Sequence, residues 1–218
     1  MKPLIETDHV VIFSRAVGPF AMNQSLIACK TTGKAALVDS GDAPDLFIAA
    51  AKAHNLEIEY LLQTHAHIDH VAGLAATKRA LPLPLYLHKD DLPIYEFIPQ
   101  QAKMYGFPVE ALPPIDHHYE DGDVLEVGDL RLEVMHTPGH APGHVCLYER
   151  TRGILIGGDL LFRQSIGRTD LPLCDPQAMM RSLARVMQLP DNVVVLPGHM
   201  EPTTIGYERT MNPFLKNL

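Results

Sequence analysis

Short apolar runs bounded by turn residues make up most of this chain, and a few longer stretches carry apolar side chains at helical spacing. Residues 9–13, 25–30 and 35–39 read as strands, the last two joined by Thr31-Thr32-Gly33-Lys34. Residues 43–54 put Leu46, Phe47, Ala50 and Ala51 at helical spacing. Asp42 is expected to cap that helix, with Pro44 in its first turn. Residues 58–62 predict a strand, 71–80 a helix and 84–88 another strand, whereas 89–116 is broken by prolines and has no clear period. Strands resume at 130–136, 144–149 and 153–156. A helix over 176–189 carries Met179, Met180, Leu183 and Met187, residues 193–196 form the last strand, and the tail from Glu201 is short. Strands and helices alternate loosely without a repeat, which predicts an α/β fold with a helix-covered pair of sheets.

Composition narrows the partners more than the fold. A chain of 218 residues, 46% hydrophobic and 20% charged, is long enough to bury one sizeable core, and one domain over 1–218 is expected. Its 18 basic and 26 acidic residues give −8 without any basic run, which argues against nucleic acid as a partner. No apolar stretch reaches membrane-spanning length, so no membrane partner is expected. Cys29, Cys146 and Cys174 are odd in number, far apart and free of any C-x-x-C pairing. They point to a reducing compartment, the cytoplasm, in a monomer or homodimer.

The chemistry concentrates in Thr64-His65-Ala66-His67-Ile68-Asp69-His70, directly after the strand at 58–62. His65 and His67 alternate by two and leave an extended backbone on the same side. Asp69 and His70 turn away from that direction, which suits a second metal beside the first. Three more strand ends repeat the theme: His136-Thr137-Pro138-Gly139-His140, Gly157-Gly158-Asp159 and Pro197-Gly198-His199. Independent structural polar residues have no reason to share that placement, whereas a shared metal site supplies one. Seven candidate ligands are too many for one tetrahedral zinc. They divide into His65, His67 and His140 on one metal and Asp69, His70 and His199 on the other, with Asp159 able to bridge. The absence of Cys from all four loops favours two divalent ions of the zinc, iron or manganese kind, zinc first. Two such ions can share a hydroxide made available near neutral pH, with Asp69 and Asp159 as the catalytic carboxylates.

THAHIDH, HTPGH, GGD and PGH, in this order, resemble the metallo-β-lactamase fold and, within it, the short glyoxalase II-like (hydroxyacylglutathione hydrolase-like) bacterial hydrolases. The resemblance runs from about Val10 to Phe214. It implies a four-layer αβ/βα sandwich with a dinuclear site at the sheet edges. It also implies hydrolysis of a small-molecule thioester such as S-lactoylglutathione or a related acyl thioester. Asp159 stands where the common zinc β-lactamases carry Cys, which argues against antibiotic hydrolysis. Only 19 residues follow His199, where glyoxalase II enzymes add a helical region that helps hold glutathione. Gly167-Arg168-Thr169-Asp170 replaces their glutathione-contacting Lys and Tyr, leaving Arg168 as the candidate grip on a substrate carboxylate. Mononuclear iron persulfide dioxygenases also share the GRTD loop and form the alternative; His144 stands where they tend to carry Cys.

Around this set, His144, Asp39 and Asp170 are expected to support the ligands from behind, Asp170 as a partner of Arg168. His136 reads as structural, and His9, His54, His88, His117 and His118 as ordinary surface or core histidines. Tyr95, Phe97, Met104, Tyr105 and Phe107 either line a substrate mouth or cap the core.

Overall fold

The computed structural model describes residues 1–216 and 218. They form two compact units, Met1–Tyr119 with Glu126–Leu130 and Glu120–Leu125 with Arg131–Leu218.

In the first unit, Val10 to Phe13 and Leu26 to Cys29 are buried without interruption. That is the mark of strands covered on both faces rather than on one. They belong to an antiparallel meander of β1 (Ile5–Glu6), β2 (Val10–Val17), β3 (Met22–Cys29) and β4 (Lys34–Val38). Helix α1 (Pro44–Ala53) then crosses over to β5 (Glu57–Leu62), which runs parallel to β4 and is followed in the sheet by β6 (Leu85–Tyr86). Parallel neighbours end on the same side, so β4 and β5 release Asp39 and Thr64 together. Between β5 and β6 lie α2 (Ile68–Val71) and α3 (Leu74–Ala80).

Three local expectations change. The helix expected at 71–80 starts earlier, at Ile68, and breaks at Ala72-Gly73. A Cβ on Gly73 would lie 2.8 Å from the Ser40 carbonyl and 2.9 Å from the Asp42 nitrogen, so the break is also a close crossing of two chains. Asp42 does not cap α1. Ala43 takes that position at φ 48°, and Asp42 instead accepts from the Ala43 N–H at 2.7 Å. Residues 89–116 contain α4 (Leu92–Tyr105), preceded by a 3₁₀ turn at Lys89–Asp91. Its buried face, Ile94, Tyr95, Ile98 and Ala102, follows helical spacing. Pro93 sits in the first turn, where its missing N–H is harmless, but Pro99 lies inside the helix and reads as a breaker.

A second sheet has β7 (Val124–Val127) at one edge, then β8 (Leu130–His136), β9 (Val145–Glu149) and β10 (Ile154–Gly158). A small hairpin of β11 (Leu161–Phe162) and β12 (Ser165–Ile166) precedes α5 (Pro176–Val186). Strand β13 (Val194–Pro197) lies parallel to β10, and β14 (Thr203–Thr204) closes the order β14-β13-β10-β9-β8-β7. Asp175 caps α5 by accepting from the N–H groups of Gln177 and Ala178. The helix buries Met179, Leu183 and Val186 against Met135, Tyr148, Leu155 and Val195. It ends three residues before the expected 189, and the tail, read as merely short, contains α6 (Ile205–Met211) with Thr204 as cap. No helix among the described residues is long and apolar enough to cross a membrane.

Candidate metal centre

The first unit builds its half of the candidate ligand set around one carboxylate. Asp39 leaves β4 at φ 56°, a left-handed conformation that Asp tolerates better than most residues, and its own N–H extends the ladder to Leu62. Its Oδ1 accepts from the Thr64 N–H and its Oδ2 from the Thr64 hydroxyl, both at 2.8 Å. The same Oδ2 lies 3.1 Å from His70 Nδ1. Since the Thr64 hydroxyl has one hydrogen and gives it to Asp39, it accepts from His65 Nδ1 at 3.1 Å. The His65 imidazole therefore carries the proton on Nδ1 and the lone pair on Nε2, and His70 turns its Nδ1 to the same carboxylate. Their ring centroids stand 4.0 Å apart, and the His67 ring is 4.8 Å from His65. Asp69 reaches within 3.8 Å of His70 Nε2. The support expected of Asp39 is thus a set of defined contacts.

Asp91 is a contributor the sequence reading missed. Fully buried at the start of α4, it accepts through Oδ2 from the Ala66 N–H at 2.7 Å, the amide between His65 and His67. A backbone partner leaves no trace in side-chain spacing; the acid two residues before Pro93, where a helix opens, is the signal that was there. Asp91→Ala strands a buried amide, a cost of about 1–3 kcal/mol. It is expected to weaken metal binding about tenfold. Titration of zinc against a competing chelator reads this, and Asp91→Asn, which keeps an acceptor oxygen, should recover most of it.

The second unit gathers His140, Asp159 and His199. Because β10 and β13 are parallel neighbours, Gly157-Gly158-Asp159 and Pro197-Gly198-His199 emerge side by side, tied by the Gly198 N–H to the Gly158 carbonyl at 2.8 Å. Asp159 Oδ2 stands 3.4 Å from His140 Nε2 and 3.5 Å from His199 Nε2. His140 donates through Nδ1 to the Arg168 carbonyl at 2.8 Å, which again leaves the lone pair on Nε2. His144, fully buried, accepts at Nε2 from the Asp159 N–H at 2.9 Å and donates at Nδ1 to Thr137 Oγ1 at 2.9 Å. It holds the Asp159 backbone, and its Nε2 lone pair is committed to that amide. His136 bonds the Pro142 carbonyl within its own turn.

Arg168 lies on an exposed loop beside His140. Its guanidinium forms a two-pronged pair with Asp170, at 2.9 and 3.0 Å, and that pairing lowers the Asp170 pKa. What reaches the candidate ligands is the Arg168 main chain. Asp170 is the loop-locking partner anticipated for it. Among the thiols, burial pushes Cys146 up to about 12 and also raises Cys174, so neither is poised as a thiolate nucleophile.

The donor set fits divalent metal ions. His65 and His140 are each held by an Nδ1 hydrogen bond that puts the lone pair on Nε2, and His70 turns Nδ1 to the Asp39 carboxylate at 3.1 Å. Each unit adds a carboxylate beside an Nε2. Acceptor-rich clusters of this kind are what a cation offsets.

Comparison with known proteins agrees with this chemistry. The sequence profile of the metallo-beta-lactamase superfamily matches residues 17–199. The hydroxyacylglutathione hydrolase GloC of Haemophilus influenzae is 32% identical over 204 residues, 92% of this chain and 96% of that protein. The crystal structure of TTHA1623 in a di-iron-bound form is 40% identical with a TM-score of 0.85, covering 93% of this chain and 100% of that one. The BLEG-1 B3 metallo-beta-lactamase is 32% identical with a TM-score of 0.84, covering 94% and 100%. The chain belongs to the metallo-beta-lactamase superfamily of metal-dependent hydrolases.

Proposed function

We propose that this chain hydrolyses an acyl thioester, S-lactoylglutathione or a relative of it, with two divalent metals. His65, His67 and His140 would hold one ion, Asp69, His70 and His199 the other, and Asp159 both. The observation that carries the reading is the orientation of His65, His70 and His140, whose Nδ1 atoms face the Thr64 hydroxyl, the Asp39 carboxylate and the Arg168 carbonyl. The likeness to GloC supports the thioester class, and the di-iron form of TTHA1623 supports two ions, with iron standing beside zinc.

Bound divalent metals supply Lewis acidity and bring the acidity of water towards neutrality. The chain's own residues do the rest. Asp69 accepts a hydrogen bond from the attacking water and aims its oxygen at the carbonyl carbon. Asp39 and Thr64 keep His65 and His70 from turning, and His144 keeps Asp159 in place. The new bond is carbon to oxygen and the broken one carbon to sulfur; water's oxygen and one hydrogen stay with the acid, and the other hydrogen accounts for the thiol. A thiol near pKa 8.5 departs as thiolate without a dedicated proton donor.

The BLEG-1 likeness favours one second reading, cleavage of a β-lactam amide by the same residues. The test is metal content per chain by elemental analysis, followed by turnover of S-lactoylglutathione, simple acyl thioesters, a chromogenic β-lactam and a persulfide. Two metal equivalents with thioester turnover are expected. β-Lactam cleavage alone, or one iron with oxygen uptake on the persulfide, would overturn the proposal.

A further inference from the structure

The first unit contains a cavity of about 330 Å³ with Asp69 in its wall. The β2–β3 hairpin contributes Val17, Pro19 and Phe20, α2 contributes Ile68, and the segment after α4 contributes Phe107 and Val109. Phe20 and Phe107 face each other at 5.5 Å between ring centroids. Phe20 is 45% exposed at the hairpin tip, where its ring forms part of the cavity wall. Gly41 and Gly73 line the floor, so backbone rather than side chain bounds it there.

The ionisable side chains among the lining residues are two carboxylates, Asp42 and Asp69; no Lys, Arg or His is among them. Such a pocket repels carboxylates, so a peptide-like thiol stays outside it, and its remaining walls are apolar side chains or backbone. Its volume falls at the lower end of the ~300–1,000 Å³ range of small-molecule sites. At about 30 Å³ per water-sized group, it holds roughly ten heavy atoms.

We propose that this cavity is an acyl pocket, that the substrate's acyl half is an unbranched apolar chain of medium length, and that Phe20 and Phe107 set the preference. The proposal rests on the thioester reading and deepens it. With its carbonyl beside Asp69, the acyl chain lies along the wall that the packed pair of rings forms, and the thiol half lies outside the cavity.

The test uses N-acetylcysteamine thioesters from acetyl to dodecanoyl, since that small neutral thiol adds no recognition of its own. kcat/KM is expected to climb about threefold per methylene as far as roughly octanoyl, then level off. Phe20→Ala and Phe107→Ala are expected to lower the octanoyl-to-acetyl ratio about tenfold, and Phe20→Leu to restore most of it. A preference for lactoyl or acetyl, or a ratio unchanged in both alanine variants, would overturn the pocket assignment. A second readout separates this from the parent reading. Ketone analogues with methylene in place of sulfur are titrated calorimetrically into the purified protein. If no thioester is turned over but the octanoyl analogue binds at least tenfold tighter than the acetyl one, and Phe20→Ala removes the difference, the thioester reading falls and the pocket stands. Equal binding of the two analogues overturns the pocket.

Discussion

Asp159→Ala is expected to leave purification with little bound metal and with hydrolysis reduced by more than the ~10- to 100-fold typical of residues behind the ligands. One oxygen of this carboxylate stands 3.4 Å from His140 Nε2 and 3.5 Å from His199 Nε2. Without it, those imidazoles have no anion between them to share a cation's charge. The loop itself should hold. The Asp159 N–H is bonded to His144, and the Gly158 carbonyl receives the Gly198 N–H, neither through the lost carboxylate. Elemental analysis, kcat/KM and a melting curve of the metal-free protein therefore read different things, and only the first two should change strongly. Asp159→Asn separates charge from size, because it keeps one oxygen acceptor and loses the negative charge. Full metal content with unreduced turnover in Asp159→Ala would remove Asp159 from the ligand set.

The prominence of these residues in the sequence has a physical basis. An apolar run that ends in a polar cluster gives both a strand and the end at which its side chains escape the core. THAHIDH, GGD and PGH each follow such a run, and the structure places each at or just beyond the C-terminal end of β5, β10 or β13. Asp39 was visible for the same reason, as a carboxylate closing a strand, although its left-handed backbone was not. Contacts made by backbone were not legible. The Asp91 carboxylate serves the Ala66 amide, and the Arg168 carbonyl serves His140. In the second case the sequence drew attention to a guanidinium that is engaged with Asp170. Helix α4 was hidden by Pro99, a residue whose local cost is outweighed by burying Ile94, Tyr95, Ile98 and Ala102. Propensity reports the local cost, and only the tertiary fold reports the burial.

A large effect on stability is expected from a residue with no chemistry of its own. A Cβ on Gly41 would lie 1.8 Å from the Asp69 carbonyl oxygen, 3.0 Å from its carbon and 2.5 Å from the Met22 methyl group. The methionine tip can swing aside. The carbonyl belongs to the backbone of α2 and cannot move without taking Asp69 and His70 with it. Gly41→Ala must therefore part the 39–42 loop from α2, the separation across which Asp39 holds His70. Overpacking against backbone is expected to cost about 3 kcal/mol or more. For a chain of this length that lowers the melting midpoint by roughly 6–12 °C. Metal affinity should fall at least tenfold in the same variant, because the strain is delivered to a candidate ligand. Gly106→Ala provides the comparison: φ is 71°, but nothing lies within 4 Å of the new methyl group, so only conformational strain of about 1 kcal/mol is added. If Gly41→Ala lost stability but kept wild-type metal affinity, the 39–42 loop would be packing support alone. If both fell together while Gly106→Ala kept its metal, the contact between Gly41 and Asp69 would be the point at which fold and candidate metal centre depend on the same atoms.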